Sequence, residues 1–182
     1  MSKNFDQLVD EVIGKEGGYS NHPADRGGPT RWGVTEQTAR AHGYRGDMKA
    51  YPREMAVDVY RATYWTLPGY DRVAAVFPAV AAEMFDTGVN MGVGVPGKML
   101  QRALNLLNRG ATDYPDIAVD NMIGKGTLAA LSTYKTKRGA AGELVLLATL
   151  NGFQLARYAE ITESRPANEA FFYGWVANRV AA

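Results

Sequence analysis

A chain of 182 residues, 46% apolar and 21% charged, is long enough to close a hydrophobic core and too apolar to stay disordered. Its net charge of +1 creates no overall field toward nucleic acid or anionic lipid. The absence of cysteine excludes disulfides, thiolate metal sites and cysteine nucleophiles together.

Phe5, Leu8, Val9, Val12 and Ile13 recur at helical spacing and predict a helix from residue 5 to about 15, ended by Gly17 and Gly18. Acids interrupt this N-terminal segment before it reads as a signal peptide, so synthesis in the cytosol is expected. From 19 to 34 the period is lost, and Gly-Gly, Pro and Asn-His-Pro punctuation predicts a loop or small hairpin. Thr35 reads as the N-cap of EQTARAHG, which Gly43 terminates. Pro52 opens PREMAVDVYRATYW, with Met55, Val59 and Ala62 as the inner stripe. Further helices are expected from Pro78 through AVAAEMFDTGVNMG, and through PGKMLQRALNLLN. After the polar loop RGATDYPDIAVDN, GKGTLAALSTY resumes helical spacing. Residues 142–163 carry Leu144, Leu147, Leu155 and Tyr158 on one side, and a last helix contains EAFFYGWVANRV. The longest apolar runs, such as ELVLLATLNGF, fall short of the roughly 20 residues of a membrane span, so no stable membrane insertion is expected. With no repeat or linker, the fold class is mainly α: one domain with a small N-terminal β-hairpin or loop lobe.

Three familiar motifs fail on context. GVGVPG, Gly92–Gly97, matches a dinucleotide fingerprint in letters, but a helix precedes it and Pro96 breaks it, so a helix-connecting loop is expected. IGKGTL has Gly126 where a phosphate loop needs Ser or Thr. His22 and His42 are the only histidines, too few for a convincing zinc hydrolase, and no GxSxG is present. Neither metal nor cofactor is expected.

Carboxylates survive this elimination. Glu16 falls at the predicted C-terminal end of the first helix, where the macrodipole disfavours an anion and apolar neighbours add desolvation; both raise a carboxyl pKa. Asp25, nine residues later in a polar Gly-rich loop, is expected to stay ionised. Two carboxyls in contrasting environments are what glycosidic hydrolysis uses. Trp32, Tyr19 and Tyr44 suit stacking on sugar faces. The plainer reading makes EGG a helix stop and PADRGGPT a turn. Arg26, Arg31, Arg40, Arg45, Lys49 and Arg53 face only Glu36 and Asp47 across residues 26–53, which is either a solvated basic face or a contact for an anionic polymer.

EGGYSNHPADRGGPTRWGVT resembles the signature segment of glycoside hydrolase family 108, the phage and prophage muramidases, with nearly every fixed position present. The resemblance continues through YWTLPGYDRVAAVFPAV, MFDTGVNMGVGVPGKMLQRALN, DNMIGKGTLAAL and FFYGWVANRV. It implies a lysozyme-like fold with a catalytic part over about 1–95 and a C-terminal helical part over about 96–182. VDNMIGKGTLAAL is similar to the DG-x-IG-x-x-T core of peptidoglycan-binding modules, with Asn121 in place of the glycine. Packing is the preferred role for that segment over glycan binding. In the family, Glu16 matches the catalytic acid. The Glu, Asp and Thr order is also similar to the E-x8-D-x5-T spacing of phage-type lysozymes, in which Asp25 falls in register and Thr30 arrives one residue early. Thr35, the alternative, reads mainly as a cap.

The implied activity is cleavage of MurNAc-β-1,4-GlcNAc bonds in peptidoglycan glycan strands by an endolysin, monomeric and held in the host cytoplasm until a separate holin releases it. Asp86 and Asn90, one helical turn apart, are candidates to line the cleft; alternatively they are buried polar groups satisfied internally. Trp175 and Arg179 are expected in core packing and a structural ion pair, and Trp65 and Tyr64 in the core. The competing readings are a lytic transglycosylase and a non-catalytic wall-binding or phage structural protein.

Overall fold

A computed structural model describes residues 4–14, 18–21 and 28–180, and among these the chain is mainly α with one small antiparallel hairpin. It divides into two compact units, residues 1–67 and 68–182.

In the first unit, α1 (Phe5–Gly14) begins in a reciprocal capping box. Gln7 N–H donates to Asn4 Oδ1 and Asn4 N–H to Gln7 Oε1, each at 2.9 Å, which satisfies two otherwise orphaned donors. Leu8, Val9 and Ile13 form its buried face. On the outer face Asp6 pairs with Arg61 at 2.9 Å and Asp10 with Arg53. These arginines belong to α3 (Arg53–Tyr60) and to its π-helical continuation, Arg61–Thr66. Exposed pairs of this kind contribute at most about 1 kcal/mol each. Apolar contact does more of the holding, and the Phe5 and Trp65 rings meet at 5.2 Å between centroids. The Tyr64 ring lies 5.7 Å from that of Tyr60, but Trp65 and Tyr64, expected in the core, are both only half-buried.

The inner stripe of α3 differs from the expected one. Ala56, Val59 and Tyr60 are buried, whereas Met55 is half-buried and Ala62 exposed. Beyond α3 the turn widens: Leu67 N–H bonds Ala62 C=O at 3.1 Å, five residues back, which takes the residues of the π segment off the α-helical stripe. Strands β1 (Thr30–Arg31) and β2 (Val34–Thr35) form the hairpin. Helix α2 (Glu36–Ala41) follows directly, with Thr35 as its N-cap accepting from Thr38 N–H at 3.3 Å.

The second unit contains α4 (Tyr70–Ala74), α5 (Pro78–Met91), α6 (Pro96–Leu107), α7 (Lys125–Ser164) and α8 (Glu169–Trp175), which runs on as a π segment, Val176–Val180. Pro78 and Pro96 occupy first-turn positions, and GVGVPG is the connector between α5 and α6, as expected. Tyr70, Phe77, Met84, Phe85, Leu100, Leu104, Leu131 and Leu146 fill the core. Helix α7 is two helical arms joined at Gly139, whose φ of 59° and ψ of −152° no other residue type takes readily. The arm after the kink buries Leu146, Leu150, Gln154 and Tyr158. Leu144 is 70% exposed and Leu155 38%, so the expected leucine stripe is the wrong face. Two faces of this arm are leucine-rich, and the buried one contains a glutamine.

That glutamine belongs to a polar ladder between α5 and α7. Gln154 Nε2 donates to Thr87 Oγ1 at 2.8 Å, and the Thr87 hydroxyl donates to Glu83 Oε1 at 3.0 Å. Asn90 Nδ2 donates to the Tyr158 hydroxyl, and Arg179 Nη1 to Asp86 Oδ1 at 2.6 Å. Trp175, expected in the core, is half-buried and stacks on Tyr158 at 5.1 Å, while Arg179 makes the expected ion pair. Acceptors are in surplus: Gln154 Oε1 and Asp86 Oδ2 are buried and meet no donor among the described residues. In this setting burial pushes the Glu83 carboxyl up to about 7, reinforced by the Asp86 charge and opposed by the Thr87 bond and Arg179.

Between about pH 4.5 and 7 the folded protein therefore holds a proton on Glu83 that the unfolded chain releases. The associated stability is fully present below pH 4.5 and is lost as pH rises through 7. Glu83→Gln should match the wild type in thermal unfolding at pH 4.5 and exceed it at pH 8, by an amount on the order of 2 kcal/mol. Parallel pH–stability curves would show that Glu83 carries no raised pKa.

Candidate active site

The candidate residues centre on the hairpin. Thr30 pairs with Thr35 and Arg31 with Val34, leaving a two-residue loop of Trp32 and Gly33. Their φ values are 53° and 70°, both positive, as a type I′ turn requires. Gly33 accepts that conformation freely; Trp32 does so at a cost of roughly 1–2 kcal/mol. Three contacts hold the turn. Trp32 Nε1 donates to Tyr51 O at 3.0 Å, and the Tyr60 hydroxyl donates to Trp32 O at 3.3 Å. Tyr60 also lies across Gly33 so closely that a Cβ there would stand well inside van der Waals contact distance of its hydroxyl oxygen.

On the open edge of β1, Ser20 forms a bridge with Thr30, their N–H and C=O groups exchanging bonds of 2.9 and 2.8 Å. The Thr30 hydroxyl donates to Gly28 O at 3.1 Å, which leaves its oxygen lone pairs available to accept from a water or a sugar hydroxyl. Thr35 is fully used as a cap: besides the Thr38 N–H, its hydroxyl meets Thr38 Oγ1 at 3.0 Å. Glu16 and Asp25 lie outside the described residues, as do His22 and Arg26.

The expected sugar-stacking aromatics divide by environment. Tyr19 is 37% exposed, with the Lys49 ammonium 5.7 Å from its ring centre. Trp32 is half-buried and has the Arg31 guanidinium 5.2 Å from its ring centre, so one indole face is covered by a cation. Tyr44 is built into the structure: its hydroxyl donates to Asp47 O at 2.8 Å and its ring meets Tyr51 edge-on at 4.9 Å. Asp86 and Asn90 belong to the second unit, where their partners are Arg179 and Tyr158.

The basic character of residues 26–53 is largely spent locally. Arg40 pairs with Glu36 at 2.6 Å and donates to Tyr44 O and Gly46 O; Arg45 donates to Arg40 O; Arg53 pairs with Asp10. Arg31, Arg40 and Lys49 lie over aromatic rings, and of these Arg31 and Lys49 stand beside the hairpin and Tyr19.

Tyr51 and Tyr60 are the supports of the candidate site that the sequence does not announce. Each acts over 19 or more positions, by a carbonyl in one case and a hydroxyl in the other. The two-residue spacing between TR and VT, with Gly in the second loop place, is the signal that points to this turn.

Comparison with known proteins gives a consistent result. Residues 9–92 match the family model of Glycosyl hydrolase 108, and residues 95–180 that of a Predicted Peptidoglycan domain. Among solved structures the chain is similar to SagA of Brucella abortus, at 28% identity and a TM-score of 0.65, covering 97% of this chain and 89% of that one. No curated protein matches significantly.

Gly33→Ala should lower stability by about 2 kcal/mol through the left-handed conformation alone, and by more through the collision with Tyr60. Adding Tyr60→Phe should recover the collision part, since the next ring atom lies 3.5 Å from the new methyl. Urea melts of both single variants and the double variant check this, and strict additivity would contradict the clamp.

Proposed function

Since the chain belongs to the glycosyl hydrolase 108 family and is a glycoside hydrolase acting on peptidoglycan, we propose that it is an N-acetylmuramidase cleaving MurNAc-β-1,4-GlcNAc bonds with Glu16 as general acid. The supporting observation is that a single family match, residues 9–92, includes Glu16, Asp25 and Thr30, in a chain that also carries a peptidoglycan domain. Glu16 gives its proton to the bridging oxygen as the C1–O bond breaks. Positive charge grows on the anomeric carbon, and Asp25 stabilises that charge or takes a proton from the water that attacks it. Thr30, with hydroxyl lone pairs to spare, holds that water. Trp32 and Tyr19 offer sugar platforms, Trp32 on a ring held by its bond to Tyr51 O.

The biological setting proposed with this chemistry is a phage or prophage endolysin. No helix among the described residues is long and apolar enough to cross a membrane. On this reading a separate holin gives the enzyme access to the wall, and the chain acts as a monomer.

Glu16→Gln should reduce release of reducing ends from purified peptidoglycan by roughly 10²–10⁴-fold, the usual contribution of a general acid. Wild-type activity in this variant would remove Glu16 from the mechanism. Mass spectrometry of the products decides the reaction type. Hydrolysis gives reducing MurNAc ends and strong dependence on Asp25; products lighter by one water, with Asp25→Ala still active, would establish a transglycosylase instead.

A further inference from the structure

A cavity of about 200 Å³ opens at the bend of α7, lined by Leu107, Tyr134, Arg138, Ala141, Gly142 and Val145. All six residues lie within the stretch matched as a peptidoglycan domain. The kink at Gly139 brings the two arms of α7 close. Gly142 lies so near Tyr134 and Arg138 that a Cβ there would stand 3.1 Å from the tyrosine ring and 2.6 Å from Arg138 Cβ. The Tyr134 hydroxyl donates to Gly142 O at 3.0 Å, so this ring offers the cavity an apolar wall. The Arg138 guanidinium is the one charged group among the lining residues.

The charge around the cavity is unbalanced. Arg109 holds Asp113 with two bonds, Nε to Oδ2 at 3.0 Å and Nη2 to Oδ1 at 2.5 Å. Arg138 reaches the same carboxylate only at 3.5 Å. Lys137 acts on Asp113 as well, and together these cations hold its carboxyl below the usual range, the Arg109 bond first among the causes. Three cations thus face one carboxylate that is already engaged. Glu143, the acid next to Gly142, is committed elsewhere, accepting from Ala79 N–H at 2.8 Å. Exposed Leu106, Leu144 and Val145 extend the apolar surface nearby.

Size and polarity select the occupant. Sites for whole small-molecule ligands run from about 300 to 1,000 Å³, so this cavity takes a fragment. A pyranose brings a ring of hydroxyls that these walls do not pair. A chain of small apolar residues with free carboxylates matches both the walls and the excess cation. We propose that the cavity binds the stem peptide of peptidoglycan, with an alanine methyl against Leu107, Tyr134 and Val145 and a stem carboxylate on Arg138. The proposal rests on residues 95–180 being a peptidoglycan domain, and it is independent of which carboxyl in the chain is the catalytic acid.

The test uses the full-length chain and the synthetic peptide L-Ala-γ-D-Glu-L-Lys-D-Ala-D-Ala, followed by NMR and calorimetry. Binding should shift the Leu107 and Val145 resonances and weaken at least tenfold in Arg138→Gln. Ala141→Glu, on an exposed helix position, should weaken it similarly by opposing the ligand carboxylate. Absence of binding, shifts confined to other residues, unaltered affinity in both variants, or equal affinity for an all-L peptide of the same charge would each overturn the proposal. Hydrolysis of peptide-free glycan by the wild-type chain reports separately on the muramidase reading, so either idea can fail alone.

Discussion

The backbone at Trp32 and Gly33 is the constraint on which the hairpin depends, because two consecutive positive φ values permit only one way of returning the chain. The register follows, and with it the facing of every hairpin side chain. A slip by one residue would turn Thr30 to the opposite face and separate Thr35 from the helix it caps. An indole in a left-handed conformation costs a kcal/mol or two, and a hydrogen bond such as that from Trp32 to Tyr51 returns about 1 kcal/mol. The balance is made up by half-burying the ring and by the Tyr60 hydroxyl on the Trp32 carbonyl. Strain of this kind is retained where it fixes a side chain that a relaxed turn would leave free.

The second unit solves its register problem by a different device. Apolar contact between α5 and α7 is non-directional and tolerates sliding. The pairs Thr87–Gln154 and Asn90–Tyr158 do not, since a shift of one turn leaves buried Thr87, Gln154 and Tyr158 without their partners. Arg179 extends the same logic to the C-terminal segment through Asp86. These bonds cost desolvation, and the same burial, reinforced by the Asp86 charge, keeps the Glu83 proton in place toward neutral pH. Asp86 and Asn90 therefore have structural work that does not depend on substrate. Asn90 is itself exposed and Asp86 keeps one oxygen without a donor among the described residues, so neither is the fully satisfied buried group that was the alternative to a cleft role.

Most helix starts were legible because their signals are local: Thr35 as a cap, Pro78 and Pro96 in first turns, and the loss of period between α1 and the hairpin. The buried faces were less so. In α3 the buried stripe is Ala56, Val59 and Tyr60 in place of one through Met55, and the π segment that follows changes the angle per residue, which no window of constant period detects. In α7 the true stripe passes through Gln154, whose side chain reads as solvent-facing until Thr87 supplies its partner. The expected carboxyls Glu16 and Asp25 lie outside the described residues; within them the hairpin turn was legible from spacing, while its supports Tyr51 and Tyr60 were not. A backbone carbonyl has no residue signature, and a tyrosine hydroxyl acting 28 positions away has no local one.

Asn121 shows how a departure from a sequence pattern can preserve the geometry behind it. The peptidoglycan-binding core places glycine there, and in this chain Asn121 has a φ of 70°, a region that asparagine enters more readily than other side chains do. Its backbone N–H donates to Gln101 Oε1 at 2.8 Å, while Gln101 Nε2 donates to Asp120 Oδ1 at 2.8 Å and to Met122 O at 3.1 Å. The whole DNMIG turn is thereby fastened to α6 by one fully buried glutamine. Gln101 takes up much of the turn's hydrogen-bonding capacity, which is why recognition of the wall is better sought at the bend of α7 than on the motif itself. The match to the hydrolase family runs to residue 92, so it takes in α4 and α5, whose packing partners lie in the second unit. The peptidoglycan domain therefore borrows α5 from the hydrolase stretch of the sequence. Without that helix, Gln154, Tyr158 and Arg179 would face solvent or one another, and the ladder that fixes α7 would have no second rail.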